Sequence, residues 1–396
     1  MNQLMKSLKK NIFLPWRKIG TIDKIIDVFV GKENFLVLGH LNPDEDCVSS
    51  MVGTALIIKK FNKNVALFFP SKLHDNFQYL IKICEFNSIT LLRPDNIRKK
   101  IAGLGRFDAV IICDTAKPSM IQSHELLDPV LRDSSMLKIE IDHHLGGDSS
   151  YIGSEGYRLV TDATSASELV GQILLRLSKK EKFLKEYHIG NPFSRNLILA
   201  VLTGIIGDTD MGKYLKTRKT RRYYRIFSSM YDGILNRETI KATNLSSMED
   251  ISHELKRLTA AEEVCYNFMM ARKKFTKSFG YVVVRQGDFQ KASIPLDNDI
   301  IVSTSRAVAD ALAEESGRLS LVAYYDLPGV SELVQLRVRR CHSYKEFDVR
   351  RILEMFSIEN GGGHEGAMGF RVDQGTVEDI DEFVRRIIEG IEKAIG

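Results

Sequence analysis

The sequence predicts an α/β protein with a parallel-sheet N-terminal domain, joined by a long helix to a smaller α/β C-terminal domain with a mixed sheet. Two observations carry that expectation. Short β-branched and aromatic runs alternate with helical periodicity through the first half, the pattern of a parallel sheet covered on both faces. A long amphipathic stretch then separates these from a second group of strand-like runs, which a helix and a glycine triplet interrupt.

In order along the chain, residues 1–20 read as a basic solvated arm, with five Lys/Arg and no acid. Its apolar stretch is too short for a secretory signal. The N-terminal domain is placed at 21–245. Its strands are expected at Phe35–Gly39, Val65–Phe69, Asp108–Cys113 and Leu137–Ile141, with helices at Ser49–Phe61 and Phe77–Phe86. One connector helix is expected over 246–274, because Ile251, Leu255, Leu258, Ala261, Val264, Cys265 and Phe268 recur at helical spacing. The C-terminal domain, 275–396, should contain strands at Gly280–Arg285, Leu319–Tyr325, Glu332–Val338 and Met368–Val372. A helix at Ser303–Glu315, a glycine-rich turn at Gly361–Gly363 and a final helix at Val377–Ala394 complete it.

Composition narrows the possibilities. The 396 residues are 44% hydrophobic and 27% charged, which excludes a disordered chain or a disulfide-stapled miniature. Lys plus Arg is 56 against 51 Asp plus Glu, a net +5. That balance excludes a strongly basic nucleic-acid coat and leaves room for a polyanionic ligand. The five cysteines are odd in number and contain no CxxC pair, so neither a disulfide framework nor a structural zinc is expected, and a cytoplasmic location fits best. The longest apolar run, Leu197–Ile206, is about half of what a membrane-spanning helix needs, so no membrane span is expected.

Three predicted strands end directly in polar, acid-containing clusters, at His40–Asp46, Asp114–Thr115 and Asp142–His144. Ligands of open α/β sheets bind at the carboxyl ends of strands. In His40-Leu-Asn-Pro-Asp44-Glu-Asp46 the two aspartates are two apart, so in extended backbone they share a face and can serve neighbouring cations; an acidic surface loop is the plainer reading. Asp114, at the end of an apolar strand, taken alone reads more readily as a helix cap than as a ligand, and Asp208, in Gly204–Asp210, has a cap as its competing reading. Asp142-His143-His144 is harder to explain as packing, since paired imidazoles after a buried strand offer nitrogen to a metal and the acid can fix a tautomer. Gly361, Gly362 and Gly363 would expose consecutive N–H groups to a phosphate, with His364 adding a donor. Arg337 and Arg339 alternate on one face of the preceding strand, opposite Val338. The basic and aromatic run Lys213–Arg225 suits either a solvated face or single-stranded nucleic acid.

Taken together these segments resemble the DHH family of phosphoesterases, in the type that includes nanoRNases, or oligoribonucleases, and 3′-phosphoadenosine 5′-phosphate phosphatases. HLNPDEDCVSS at 40–50, ICDT, IDHH at 141–144 and GIIGDTD at 204–210 fall in the family's order, with ATSASELV at 163–170 between the last two. GGGHEGAMG at 361–369 is similar to the glycine-rich signature of the family's associated C-terminal domain. The resemblance implies two Mn²⁺, with Mg²⁺ or Co²⁺ as substitutes. It gives one metal His40, Asp44 and Asp114, and the other Asp46, Asp114, His143 and Asp208. Asp142 is expected to orient His143, and His144 to contact the phosphoryl or leaving group. Arg337, Arg339, Gly361–Gly363 and His364 would bind substrate. Glu45 and Asp210 stand where the family commonly has Gly, and Met368 where it has Ala.

The activity so implied is hydrolysis of short oligoribonucleotides or linear dinucleotides such as pApA, and of 3′-phosphoadenosine 5′-phosphate. Rival expectations are cyclic-di-AMP hydrolysis and a catalytically inactive nucleotide sensor or nucleic-acid-binding protein. The partner is then short RNA or a dinucleotide, with a homodimer among the assemblies allowed.

Overall fold

The computed structural model describes residues 16–146, 149–213, 215, 217–238, 245–291 and 297–395. The chain divides into two compact units, Met1–Leu255 and Lys256–Gly396.

Six strands form the sheet of the first unit: β1 (Asn34–Leu38), β2 (Asn64–Phe68), β3 (Thr90–Leu92), β4 (Ala109–Cys113), β5 (Leu137–Asp142) and β6 (Arg158–Val160). They pair in parallel in the order β3-β2-β1-β4-β5-β6. The main helices are α1 (Trp16–Gly31), α2 (Glu45–Lys59), α3 (Gln78–Phe86), α4 (Ala166–Leu177), α5 (Arg195–Thr209), α6 (Arg218–Glu238) and α7 (Met248–Leu255). Strand alternation feeds two cores. Phe35, Val37, Ile111 and Cys113 enter a large cluster with α1, α2, α4 and α5, while Leu36, Leu38, Val110 and Ile112 enter a smaller one on the other face. Burial on both faces is why these strands show no polar alternation. The chain winds outward from β1 to β3, then returns to β4 on the other side of β1. That reversal opens a crevice beyond the carboxyl ends of β1 and β4.

The expected strands and helices of this unit are present, with shifted ends. Helix α2 starts at Glu45 rather than Ser49 because Asp44 caps it, its Oδ1 accepting the Cys47 N–H at 3.1 Å. Residues 1–15 of the expected basic arm lie outside the described residues. Trp16–Gly20 instead open α1, which buries Ile22, Ile25, Ile26 and Phe29. The apolar run Leu197–Ile206 is a core helix, and no helix among the described residues is long and apolar enough to cross a membrane.

In the second unit α8 (Ala260–Met270), α9 (Asn298–Ser316) and α10 (Ile380–Ile395) accompany β7 (Lys274–Phe275), β8 (Phe279–Val284), β9 (Leu319–Tyr325), β10 (Leu333–Arg340), β11 (Gly361–His364) and β12 (Ala367–Asp373). The order is β11-β12-β10-β9-β8-β7, with β8 and β9 parallel and the other pairs antiparallel, so the sheet is mixed as expected.

Two expectations are corrected. The single connector helix over 246–274 is two helices, α7 and α8. Thr259 starts α8 through a capping box: its Oγ1 accepts the Glu262 N–H at 3.3 Å while Glu262 Oε2 accepts the Thr259 N–H at 2.8 Å. Continuous apolar spacing through 251–268 hid that start. Gly361–Gly363 form not a turn but an edge strand paired with β12. Gly363 sits at φ +149°, and a Cβ there would lie 2.2 Å from the Ala367 carbonyl oxygen, so only glycine fits.

Candidate active site

The crevice collects the acids and imidazoles that the sequence singled out, from five different parts of the first unit. His40 and Asp44 leave β1, Asp114 ends β4, Asp142 ends β5, and His143 and His144 follow it. Asp46 lies in the first turn of α2 and Asp208 in the last turn of α5. His40 Nε2 is 3.7 Å from Asp44 Oδ1 and 3.7 Å from Asp114 Oδ2. His143 Nε2 is 3.4 Å from Asp114 Oδ1, 3.4 Å from Asp208 Oδ2 and 3.9 Å from Asp46 Oδ2.

The capping alternatives are decided by local structure. Asp44 does cap α2, so it serves the helix as well as facing His40. No α-helix begins after Asp114, whose backbone is left-handed at φ +48°. Aspartate tolerates that conformation better than most residues. Asp208 lies where the α5 dipole disfavours an acid, so helix stability does not account for it. The extra acids have settled roles too. Asp210 takes the left-handed cap position of α5 that glycine would otherwise favour, with Lys213 Nζ 2.9 Å away, and Glu45 packs against Gly207. Met368 is buried in the second unit's core.

One role is corrected. The Asp142 carboxylate is bonded to His144 rather than oriented towards His143: His144 Nδ1 is 2.8 Å from Asp142 Oδ1. With Nδ1 so engaged, Nε2 is the His144 nitrogen left for other contacts.

The electrostatics are those of a site short of positive charge. Burial, then repulsion from Asp114 and Asp208, pushes the Asp46 carboxyl well above its usual range. Asp208 is pushed up to about 7, chiefly by burial. Burial works against protonation of His143, but Asp208, Asp114 and Asp46 outweigh it and raise its pKa well above the usual value. Asp114 is 2% exposed, and its Oδ1 is buried without a hydrogen-bond partner. An orphaned buried carboxylate oxygen among further acids is costly unless a cation joins it. The donors fit one: His40, Cys47 and Asp114 form one group with ligand atoms within 4.8 Å of one another, Asp114, His143 and His144 a second, and Asp46, His143 and Asp208 a third.

Two contributors were not legible as site residues. Cys47 falls among the first group of donors, where its buried thiol has a raised pKa through desolvation and the charges of Asp114 and Asp44. The start of α4 holds Asp46 from 120 residues away, with the Ala166 and Ser167 N–H groups donating to its two carboxylate oxygens at 2.5 and 2.9 Å. The Ser165 cap was the available signal, its side chain accepting the Glu168 N–H at 3.0 Å.

In the second unit, Arg337 and Arg339 share a face of β10, and Val338 enters the core on the other. Their surroundings differ. Arg339 Nε bonds Asp310 Oδ1 on α9 at 2.9 Å. Arg337 Nε is buried without a partner, with Arg306 and Tyr324 nearby, and its guanidinium lies where a Cβ on Gly369 would be. Gly362, paired with Gly369, has open space above it. The His364 side chain lies outside the described residues, as do Tyr214 and Lys216 of the basic run. Tyr224 of that run packs against the core instead of forming an outward stacking surface.

Residues 34–205 match the DHH family, N-terminal domain. No curated protein sequence matches the chain. Among solved structures, an exopolyphosphatase-related protein from Bacteroides fragilis superposes with a TM-score of 0.64 at 17% identity, covering 94% of this chain and 96% of that one. RecJ from Thermus thermophilus in complex with Mn²⁺ is similar over 96% of this chain and 56% of that one, with a TM-score of 0.49 and 12% identity. The fold shared with the first of these is the mixed α/β architecture described above.

Proposed function

We propose that the chain is a two-metal phosphoesterase that hydrolyses short oligoribonucleotides or linear dinucleotides. The observation that carries the reading is the orphaned Asp114 carboxylate, shared by two groups of potential metal donors at the switch point of a parallel sheet. His40, Asp44 and Asp114 would hold one cation, and Asp46, Asp114, His143 and Asp208 the other. Mixed nitrogen and carboxylate donors suit Mn²⁺. When bound, a pair of such ions polarises phosphoryl oxygens and makes water nucleophilic near neutral pH.

The chain's own residues supply the rest. The α4 N-terminus fixes Asp46, and Asp142 sets the His144 ring so that its Nε2 can give a proton to the leaving oxygen. Arg337 would take a terminal phosphate of the substrate over Gly369 and Gly362, its charge being the one not neutralised by Asp310. Arg337→Ala should therefore raise KM for a 5′-phosphorylated dinucleotide by about tenfold or more, the worth of a charge-assisted hydrogen bond of roughly 1.5–3 kcal/mol. Arg339→Ala should change KM by less than about threefold, since its guanidinium is already engaged by Asp310 and by the Val338 carbonyl. Steady-state kinetics of the two variants separates them, and equal effects would overturn the assignment.

The test of the activity itself is incubation of the purified chain with Mn²⁺ and pApA, cyclic-di-AMP, a five-nucleotide RNA or 3′-phosphoadenosine 5′-phosphate. The expected order of kcat/KM places pApA and short RNA above cyclic-di-AMP. Turnover of none of the four, with metal bound, would favour the sensor reading.

A further inference from the structure

A cavity of about 180 Å³ lies beside His144, bounded among others by Glu140, Asp142, Ser149, Ser150 and Tyr151. At about 30 Å³ per water it holds roughly six waters, room enough for one heterocycle. Its rim is apolar. Leu145 and Tyr151 are 60% and 62% exposed, and both line it. The Tyr151 ring is held rather than loose. Arg158 lies against it, with its guanidinium carbon 4.8 Å from the ring centre, and Arg158 Nε is anchored on the Gly153 carbonyl at 2.6 Å. The guanidinium covers one face, and the high exposure leaves the other available for stacking.

The lining is acidic. Glu140 is 2% exposed, and its Oε2 accepts the N–H groups of Ile152 and Gly153 at 3.1 and 2.9 Å. Asp142 is paired with His144 at 2.8 Å, and Glu140 feels the charge of Arg158, so the wall offers acceptors with little net charge. A planar, neutral group that carries N–H donors is favoured. A nucleobase has that chemistry, and aromatic stacking accepts any base.

We infer that this cavity is a nucleobase pocket, with Tyr151 as its stacking platform and Glu140 as an acceptor for amino or imino groups. The inference rests on the phosphoester reading above and adds to it where the base of the leaving nucleoside goes. His144 lines the cavity and also stands 3.5 Å from Asp114, so a base held here places its own ribose oxygen at the metal centre.

Two measurements test the pocket. By calorimetry, the wild-type chain should bind AMP about tenfold or more tightly than ribose 5-phosphate, the worth of one base stack. Tyr151→Ala should erase that difference, while Tyr151→Phe keeps it. In turnover, Tyr151→Ala should raise KM for pApA about tenfold with kcat little changed. It should leave unaffected a dinucleotide that is abasic at the residue whose ribose oxygen leaves. Equal binding of AMP and ribose 5-phosphate by the wild type, or hydrolysis of pApA with a KM indifferent to Tyr151, overturns the pocket. Tyr151-dependent AMP binding without hydrolysis of any dinucleotide would instead overturn the proposed activity and leave the pocket standing.

Discussion

Asp114→Asn should abolish metal-dependent hydrolysis while the metal-free protein keeps its fold. Asparagine is the informative replacement for three reasons. It matches aspartate in size, so no cavity opens in a site that is 2% exposed. It also tolerates the left-handed backbone at φ +48°, which alanine would strain. Only the charge is lost. Asp114 lies 3.7 Å from His40, 3.4 Å from His143 and 3.5 Å from His144, so both halves of the donor set lose their common anion. If those halves hold the two cations, several kcal/mol of transition-state stabilisation disappear, and kcat/KM should fall by at least about 10³. Metal-free stability should be kept or raised, because the substitution removes an uncompensated buried charge. In thermal melts the wild type should gain about 2.7 kcal/mol at Mn²⁺ one hundred times its dissociation constant. The variant should gain far less. Full Mn²⁺-dependent turnover by Asp114→Asn would remove the metal assignment altogether.

The reason Asp114 was legible at all is instructive. Strand ends are visible in sequence when an apolar run stops abruptly, and AVIIC before Asp114 and LKIEI before Asp142 both do so. Residues next to such stops inherit the position of the strand's carboxyl end, so their convergence in a parallel sheet could be expected without coordinates. Choices that depend on a partner distant in sequence could not. Nothing within β10 distinguishes Arg337 from Arg339; the distinction comes from Asp310, on a helix packed across the strand. Asp142 is adjacent to His143, yet it bonds His144, because the turn after β5 decides which imidazole faces back. The capping box at Thr259 was written in the sequence, but apolar periodicity ran through it and made two helices read as one. Cys47 stood beside Asp46 with nothing in its spacing to separate a packed thiol from a potential donor.

The same dependence on distant contacts gives Gly204→Ala an unusual sign. Alanine at an unhindered helix position favours the helix by about 1 kcal/mol over glycine. Gly20, in α1 with nothing within 4 Å of an added Cβ, should follow that rule, so Gly20→Ala should raise stability by up to about 1 kcal/mol. Gly204 should do the reverse. An added Cβ there would lie 2.0 Å from Ser167 Oγ, 2.6 Å from Ser167 Cβ and 2.6 Å from Asp46 Oδ1. None of these atoms is the end of a long side chain that can swing away. Ser167 is fully buried at the start of α4, and its N–H donates to Asp46 Oδ1 at 2.9 Å. Overpacking costs about 1–3 kcal/mol. Pulling Ser167 from Asp46 forfeits a hydrogen bond to a charged group, about 1.5–3 kcal/mol more. Even after the helical gain, Gly204→Ala should lose roughly 1.5–5 kcal/mol, by the same two terms. The loss should also reach the proposed metal site, since Asp46 can no longer be held by the α4 N-terminus. Urea titration of Gly20→Ala and Gly204→Ala against the wild type reads the first effect, and Mn²⁺ titration of whichever variant stays folded reads the second. If Gly204→Ala is as stable as Gly20→Ala and binds Mn²⁺ as the wild type does, α5 and α4 do not approach closely enough to hold Asp46 between them.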